Sequence, residues 1–227
     1  MAKGIIYVMT TVVPGLIKIG KTGSDSFEQR MYNLENNGYR NVVGLKRKFA
    51  IEVDDYDEKE NLLDDIFSKS RVPNTELFAL DINLVVQLLS SFEGTQVYPE
   101  KQTKDEAFDE ATEKVQVAKE GFIPNGKYYL NRKLKRNNNE VTTATMIVKD
   151  GDFIIPEGTV ISESEAVSCP IKLRQLRSSD AVKNNIVQKD CVFASPSTAA
   201  SFVIGGSTNG WIDWCLQDGT SINIFRH

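Results

Sequence analysis

Histidine is nearly absent from this chain of 227 residues; the single one is His227, the last residue. A terminal side chain is usually frayed, so imidazole general-base catalysis and histidine-ligated metal sites are not expected. Cysteine is scarce as well: Cys169, Cys191 and Cys215 are odd in number and widely spaced. That excludes a disulfide framework, shows no zinc-ligand spacing, and fits reduced core thiols in a cytoplasmic protein. No apolar run is long enough to span a bilayer, and the N-terminus has no signal-peptide core, so no membrane role is expected. An excess of positive charge is missing too. Lys and Arg number 27 against 31 Asp and Glu, a net charge of −4, which is not the footprint of a strongly basic nucleic-acid binder.

The composition that is present is that of a globular protein, 41% hydrophobic and 26% charged, with a length that suits one or two domains. The charge is unevenly spread. Residues 1–96 carry 11 basic and 14 acidic side chains, residues 97–120 carry 4 and 7, and residues 121–227 carry 12 and 10. The acid of the first segment is concentrated between Asp54 and Asp65. Lys18, Lys21, Arg30, Arg40, Lys46, Arg47 and Lys48 leave the rest of it locally basic, which is compatible with a phosphate-binding face.

Period-2 and period-3.6 patterns predict an α+β chain. Ile5 to Met9 reads as a strand, Pro14-Gly15 as a turn, and Leu16 to Gly20 as the returning strand. Ser24-Asp25-Ser26 offers caps for a helix whose apolar positions are Phe27, Met31 and Leu34; Asn36-Asn37-Gly38 ends it. A third strand over 42–53, a helix over 58–70, a short strand over 76–80 and a helix over 82–92 complete a first domain at 1–96. The run over 97–120 is charged and poor in large apolar residues; it reads as a linker or a solvated helix, and its composition favours a mobile linker. Residues 121–227 read as a second, β-rich α+β domain. Its strand pair over 127–135 and 141–148 is joined by a turn from Arg136 to Glu140. Asp150-Gly151 is a hairpin signal, and a short helix opens at Ser195-Pro196 and closes at Gly205.

The stretch GIIYVMTTVVPGLIKIGKTGSDSFEQRMYNL, Gly4 to Leu34, resembles the start of the GIY-YIG nuclease superfamily. It is closest to the phage- and bacteria-borne branch whose second motif is KIGKT. The resemblance implies a small antiparallel sheet flanked by helices and a divalent-metal-dependent endonuclease acting on DNA, with Mg²⁺ or Mn²⁺ as cofactor. It carries over Tyr7 as the base or water-orienting group and Arg30 as the phosphate clamp. Glu60 is carried over as the single metal ligand, with Asp57 and Glu58 equally suited by composition. Lys18 stands where other branches have a second tyrosine. A free tyrosine titrates near pH 10, and a cation on the next strand favours its phenolate, so Lys18 is expected to activate Tyr7. Gly20 allows close backbone approach or the turn into the following loop; Lys21 and Thr22 contact phosphate or fix the loop. Glu76, in the ExF ending, lies near the site. Leu34 and Asp64 occupy positions where the family has histidines. The alternative is a non-cleaving scaffold that binds nucleic acid or protein.

In the second segment Lys127, Tyr128, Tyr129, Arg132, Lys133, Lys135 and Arg136 interleave basic and aromatic residues. Such a strand can bind a nucleic-acid backbone, with Arg132 and Lys133 as candidate contacts; a lysine-protected edge strand explains the same residues. The pattern SPSTAASFVIGGSTNGWIDW, Ser195 to Trp214, resembles a small accessory domain of unassigned function found behind nuclease-type domains, and a protein partner is open to it. Trp211 and Trp214 read as core.

Overall fold

The computed structural model describes residues 3–135 and 140–227 and falls into two compact units, Met1–Val115 and Gln116–His227. In the first, β1 (Lys3–Thr10) is buried along nearly its whole length, which suits only a central strand covered on both faces. It sits third in an antiparallel sheet of order β4-β2-β1-β3-β5, with β2 (Leu16–Thr22), β3 (Lys46–Asp54), β4 (Leu77–Ala79) and β5 (Thr95–Tyr98). The turn between β1 and β2 uses Gly15 at φ 75°, the positive φ that the Pro14-Gly15 signal predicts.

Strand alternation sorts the side chains to two faces. On one, Ile6, Val8, Ile17, Ile19, Phe49 and Ile51 meet Leu63 of α2 (Tyr56–Ile66), Val85, Val86 and Leu89 of α3 (Ile82–Ser90), and Ala107 and Ala111 of α4 (Lys104–Glu120). On the other, Ile5, Tyr7, Met9 and Ala50 meet Phe27, Met31 and Leu34 of α1 (Phe27–Asn37). The i, i+4, i+7 spacing on α1 is therefore its buried stripe. Arg47 of β3 clamps α1 to the sheet through Glu35 at 2.9 Å and Glu28 at 3.0 Å. Arg47 thus leaves the basic face expected of it.

Residues 97–120, expected to be a mobile linker, are folded. Tyr98 ends an edge strand, and Lys104–Glu120 is a helix. Its buried residues Ala107, Ala111 and Val115 recur every four positions. A stripe of small side chains is enough to seat a helix while leaving the composition looking solvated. The division between the units falls inside this helix.

The second unit is built on an antiparallel sheet of order β11-β8-β7-β6-β12. Its strands are β6 (Gly126–Leu134), β7 (Glu140–Lys149), β8 (Asp152–Ile155), β11 (Cys191–Phe193) and β12 (Trp214–Cys215). A small ribbon, β9 (Val182–Lys183) with β10 (Ile186–Val187), lies apart from it. Asp150 and Gly151 turn β7 into β8 with φ 52° and 85°, as a two-residue hairpin requires. The turn expected from Arg136 to Glu140 lies, over 136–139, outside the described residues. One face of the sheet packs on α5 (Ile171–Arg177), α6 (Pro196–Ile204) and α7 (Gly210–Asp213). Ser195 caps α6, accepting from the Thr198 amide at 3.1 Å, and Gly205 ends it at φ 65°. Trp211 and Trp214 are buried in this core, and Trp214 Nε1 donates to the Pro196 carbonyl at 2.9 Å. The expected α+β class is the class observed. Among the described residues no helix is long and apolar enough to cross a membrane.

Arg177 is the charged group that holds the second core together. It is buried, and it donates to the carbonyls of Ser162 and Phe202 and, through Nε, to Glu165 Oε1 at 2.8 Å. Arg177→Met would leave two buried carbonyls and a carboxylate unpartnered, and the expected loss is about 3 kcal/mol. Both tryptophans of the chain lie in this unit, so their fluorescence during urea unfolding reads it selectively; an unchanged midpoint would show that the arginine is dispensable.

Candidate active site

Tyr7 on β1 and Gly20 on β2 are ladder partners, and Lys18, two residues earlier on β2, turns to the same face. A Cβ at position 20 would stand 2.7 Å from the Tyr7 hydroxyl and 2.9 Å from Lys18 Nζ. The glycine is thus needed for space: two polar side-chain ends converge over its Cα. From α1, one turn into the helix, Arg30 Nε donates to the Tyr7 hydroxyl oxygen at 3.2 Å. From the residue before β4, Glu76 Oε2 accepts from Lys18 Nζ. The Tyr39 ring covers the same ammonium, 4.5 Å from centroid to Nζ, and its hydroxyl accepts from the Glu76 amide at 3.3 Å. Tyr7, Lys18, Arg30, Glu76 and Tyr39 therefore form one cluster between the sheet and α1.

Tyr7 and Lys18 are both 0% exposed, and burial governs their titration. It pushes the Tyr7 phenol above its ordinary value, against the hydrogen bond and charge of Arg30. It pulls the Lys18 ammonium down, against the hydrogen bond and charge of Glu76. The charge of Lys18 is answered by Glu76, and the group that opposes the phenol's rise is Arg30, while Lys18 Nζ stays 5.5 Å from the Tyr7 ring centroid. Burial favours the neutral phenol, which can orient a water; positive charge arriving nearby would favour the phenolate, the form that can accept a proton.

Glu60 and Lys21 stand elsewhere. Lys21 is the ladder partner of Ile6, on the face covered by α2. Its Nζ bridges Asp57 Oδ1 at 2.6 Å and Glu60 Oε2 at 2.8 Å, and these two carboxylates hold its pKa above the ordinary lysine value. The charge of Glu60 reaches Tyr7 more weakly than that of Glu76 does. The KIGKT motif thus contributes to both faces, Lys18 and Gly20 to one and Lys21 to the other. Thr22 ends β2 opposite Ile5, and Asp64 pairs with Arg71 at 2.6 Å. On β6 alternation separates the two candidate contacts. Arg132 ion-pairs with Asp213 Oδ2 at 2.5 Å, whereas Lys133 is exposed and has no ion pair among the described residues.

The described residues contain no cluster of three or more His, Cys, Asp or Glu side chains suited to a metal. What they offer a Mg²⁺ or Mn²⁺ ion is a lone carboxylate, the donor set of a hydrated ion that keeps most of its waters. Glu76 fits this on the Tyr7 face: its side chain is 39% exposed, and Oε1 has no hydrogen-bond partner among the described residues. Glu60 offers the same chemistry on the α2 face, with Lys21 already upon it.

Tyr39 is the member of the cluster that sequence reasoning missed. It lies in the segment after α1, where no periodicity marks it, and only the return of the chain to β3 brings its ring over Lys18. Tyr56 is similar: its ring packs over Gly4, where a Cβ would meet it at 2.5 Å. The first glycine of the opening motif thus seats α2.

Compared with known proteins, residues 4–93 match the T5orf172 domain and residues 134–226 match a domain of unknown function, DUF4357. Neither the curated proteins nor the solved structures contain a match to the chain. The cluster around Gly20 lies wholly within the first matched segment.

Gly20→Ala tests the cluster without removing any of its polar groups. The added methyl must displace the Tyr7 hydroxyl and the Lys18 ammonium, which Arg30 and Glu76 hold in place; overpacking of this kind costs about 1–3 kcal/mol. Hydrogen exchange read on peptides covering β1 and β2 should show faster opening there and unchanged protection in the second unit. Unchanged exchange in β1 and β2 would mean that the space above Gly20 yields freely.

Proposed function

We propose that the first unit is a divalent-metal-dependent endonuclease of the GIY-YIG type, hydrolysing phosphodiester bonds in DNA. The observation that carries this reading is the meeting of the Tyr7 hydroxyl, the Arg30 guanidinium and the Lys18–Glu76 pair above Gly20. The T5orf172 match supports its coarser part, a nuclease-like or DNA-binding domain. The three free cysteines suit a reducing, cytoplasmic setting.

Phosphodiester hydrolysis needs a base for the attacking water, positive charge for the phosphoryl oxygens and help for the leaving oxygen. Tyr7 aligns the water through its hydroxyl, and in its phenolate form, once its own proton has passed to solvent, it takes the water's proton. Arg30 spends Nε on Tyr7; its two terminal nitrogens make no hydrogen bond among the described residues and can hold a nonbridging oxygen in a fork. Lys18 acts as a positioning residue that anchors Glu76 beneath the same face. A bound Mg²⁺ or Mn²⁺ supplies Lewis acidity and acidifies its water. The carboxylate assigned to it is Glu76 in preference to Glu60, because Glu76 shares the face of Tyr7 and Arg30. Lys18, standing where the family has a tyrosine, favours a second reading, a scaffold that binds nucleic acid without cutting it. Oligonucleotide binding without metal-dependent cleavage would be its signature.

Cleavage of a labelled DNA in Mg²⁺ or Mn²⁺ decides among these. Tyr7→Phe should lose about 100-fold or more, and Glu76→Gln should fall to background while Glu60→Gln stays close to wild type. The reverse order for the two glutamates would return the metal to Glu60. Because burial raises the Tyr7 pKa, the fraction of phenolate climbs with pH across the neutral range and above it. The wild-type kcat/KM should therefore rise between about pH 7 and 9 and the Tyr7→Phe residual rate should not. A wild-type profile flat over that window would remove Tyr7 as the base.

A further inference from the structure

The helices of the second unit all pack on one face of its sheet, which leaves the other face to be explained. On β6 the side chains of Tyr128, Leu130 and Leu134 are buried in the core, and Lys127, Tyr129, Asn131 and Lys133 turn outward. On β7 Thr142, Met146 and Val148 turn inward and Thr143 and Thr145 outward. The register sets Tyr129 opposite Thr145 and Asn131 opposite Thr143. The outer face therefore sets a row of hydroxyl and amide groups around Tyr129, with the apolar side chains of Val141, Ile147, Ile154 and Val192 around it. Tyr129 is 37% exposed where its neighbour Tyr128 is 3% exposed.

An open cavity of about 620 Å³ lies over this row, walled on its far side by the loop from Pro156 to Val160. That volume is in the range of small-ligand sites, and the lining mixes apolar residues such as Pro156 and Val160 with polar ones. Asn131, Thr143, Thr145 and Thr159 offer donors and acceptors of the kind that meet base edges. Lys127, Lys133, Lys135 and Lys149 are exposed and carry no ion pair among the described residues. The carboxylates nearby include Glu157 on the loop wall, Asp190, which accepts from the Glu157 amide at 2.9 Å, Asp152, the ladder partner of Lys149, and Asp150 beside that lysine. The positive charge thus gathers along β6 and the end of β7, and Glu157 stands opposite it. Arg132 takes no part, being paired with Asp213.

We propose that this outer face is a docking surface for single-stranded nucleic acid. Tyr129 stacks on a base, the lysines hold the phosphates along β6, and the bases point toward the loop of Glu157 and Thr159. An exposed ring on a sheet, flanked by cations and hydrogen-bonding side chains, suits unstacked bases; a duplex keeps its base faces inside the stack. The proposal does not depend on the catalytic reading of the first unit.

The test uses the full chain in EDTA, to suppress cleavage, and a fluorescent mixed-sequence single-stranded DNA of about a dozen nucleotides. In anisotropy titrations Tyr129→Ala should bind about tenfold more weakly and Tyr129→Phe close to wild type. Lys127→Gln with Lys133→Gln should flatten the salt dependence by roughly 1.4 in log–log slope. Iodouracil in the oligonucleotide should crosslink to Tyr129. Unchanged binding by Tyr129→Ala, or crosslinks confined to residues 4–93, would overturn the proposal and leave the catalytic reading standing. Duplex DNA competing as well as single strands would also overturn it. So would polyglutamate binding with the same Tyr129 dependence, which would make the face a site for acidic proteins. The tryptophan unfolding midpoint confirms that each variant is folded.

Discussion

A lysine with no exposure to solvent, Lys18, sets the terms for the first unit. Taking an ammonium out of water costs several kcal/mol unless a partner and hydrogen bonds offset it. The chain meets that cost from three places, two of them distant in sequence. Glu76 brings its carboxylate from the start of β4, Tyr39 brings its ring from beyond α1, and Gly20 leaves the room in which the Nζ sits. The pairing of β4 with β2, which puts Lys18 opposite Leu77, carries Glu76 to its partner. Remove the charge and the reason for this edge of the sheet goes with it.

The same burial explains the chemistry of the cluster. A phenol and an ammonium share a dry space, and each is pushed toward its neutral form. Arg30 counters this for the tyrosine and Glu76 for the lysine. The Arg30 guanidinium and the part-exposed Glu76 carboxylate border this buried pair. The acidic α2 helix has a different role. Asp57 and Glu60 neutralise Lys21 on the side of the sheet that α2 covers, and the charge of Glu60 is still felt by Tyr7 and Lys18.

In the second unit one sheet divides the labour by alternation. Its inner face binds the helices around Trp211, Trp214 and Phe202. Its outer face keeps lysines, threonines and Tyr129. Neighbouring residues on β6 therefore serve opposite ends: Arg132 closes on Asp213 beside α7, and Lys133 stays with solvent. A composition reading that pools them into one basic strand misses this, because a period of two separates what the sequence sets side by side.

Local signals were sufficient for much of the architecture. The Pro14-Gly15 and Asp150-Gly151 turns, the cap at Ser195, the stop at Gly205 and the stripe of Phe27, Met31 and Leu34 are each written within a few residues, and the backbone obeys them. The GIIY and KIGKT stretches and Arg30 marked the cluster before any geometry was known. The charged run over 97–120 was misleading because alanines can seat a helix without raising hydrophobicity. Sequence alone could not rank Glu60 against Glu76. Both lie in plausible elements close to apolar residues, and only the pairing of β4 with β2 brings Glu76 to the face of Tyr7. It could not find Tyr39, whose role exists only through a contact across the chain. Nor could it tell which cation meets the tyrosine: Lys18 stands nearer in the strand pattern, but α1 lays Arg30 on the hydroxyl and β4 draws the lysine's charge to Glu76. Local spacing determines which face a side chain takes, and long-range packing decides what it meets there.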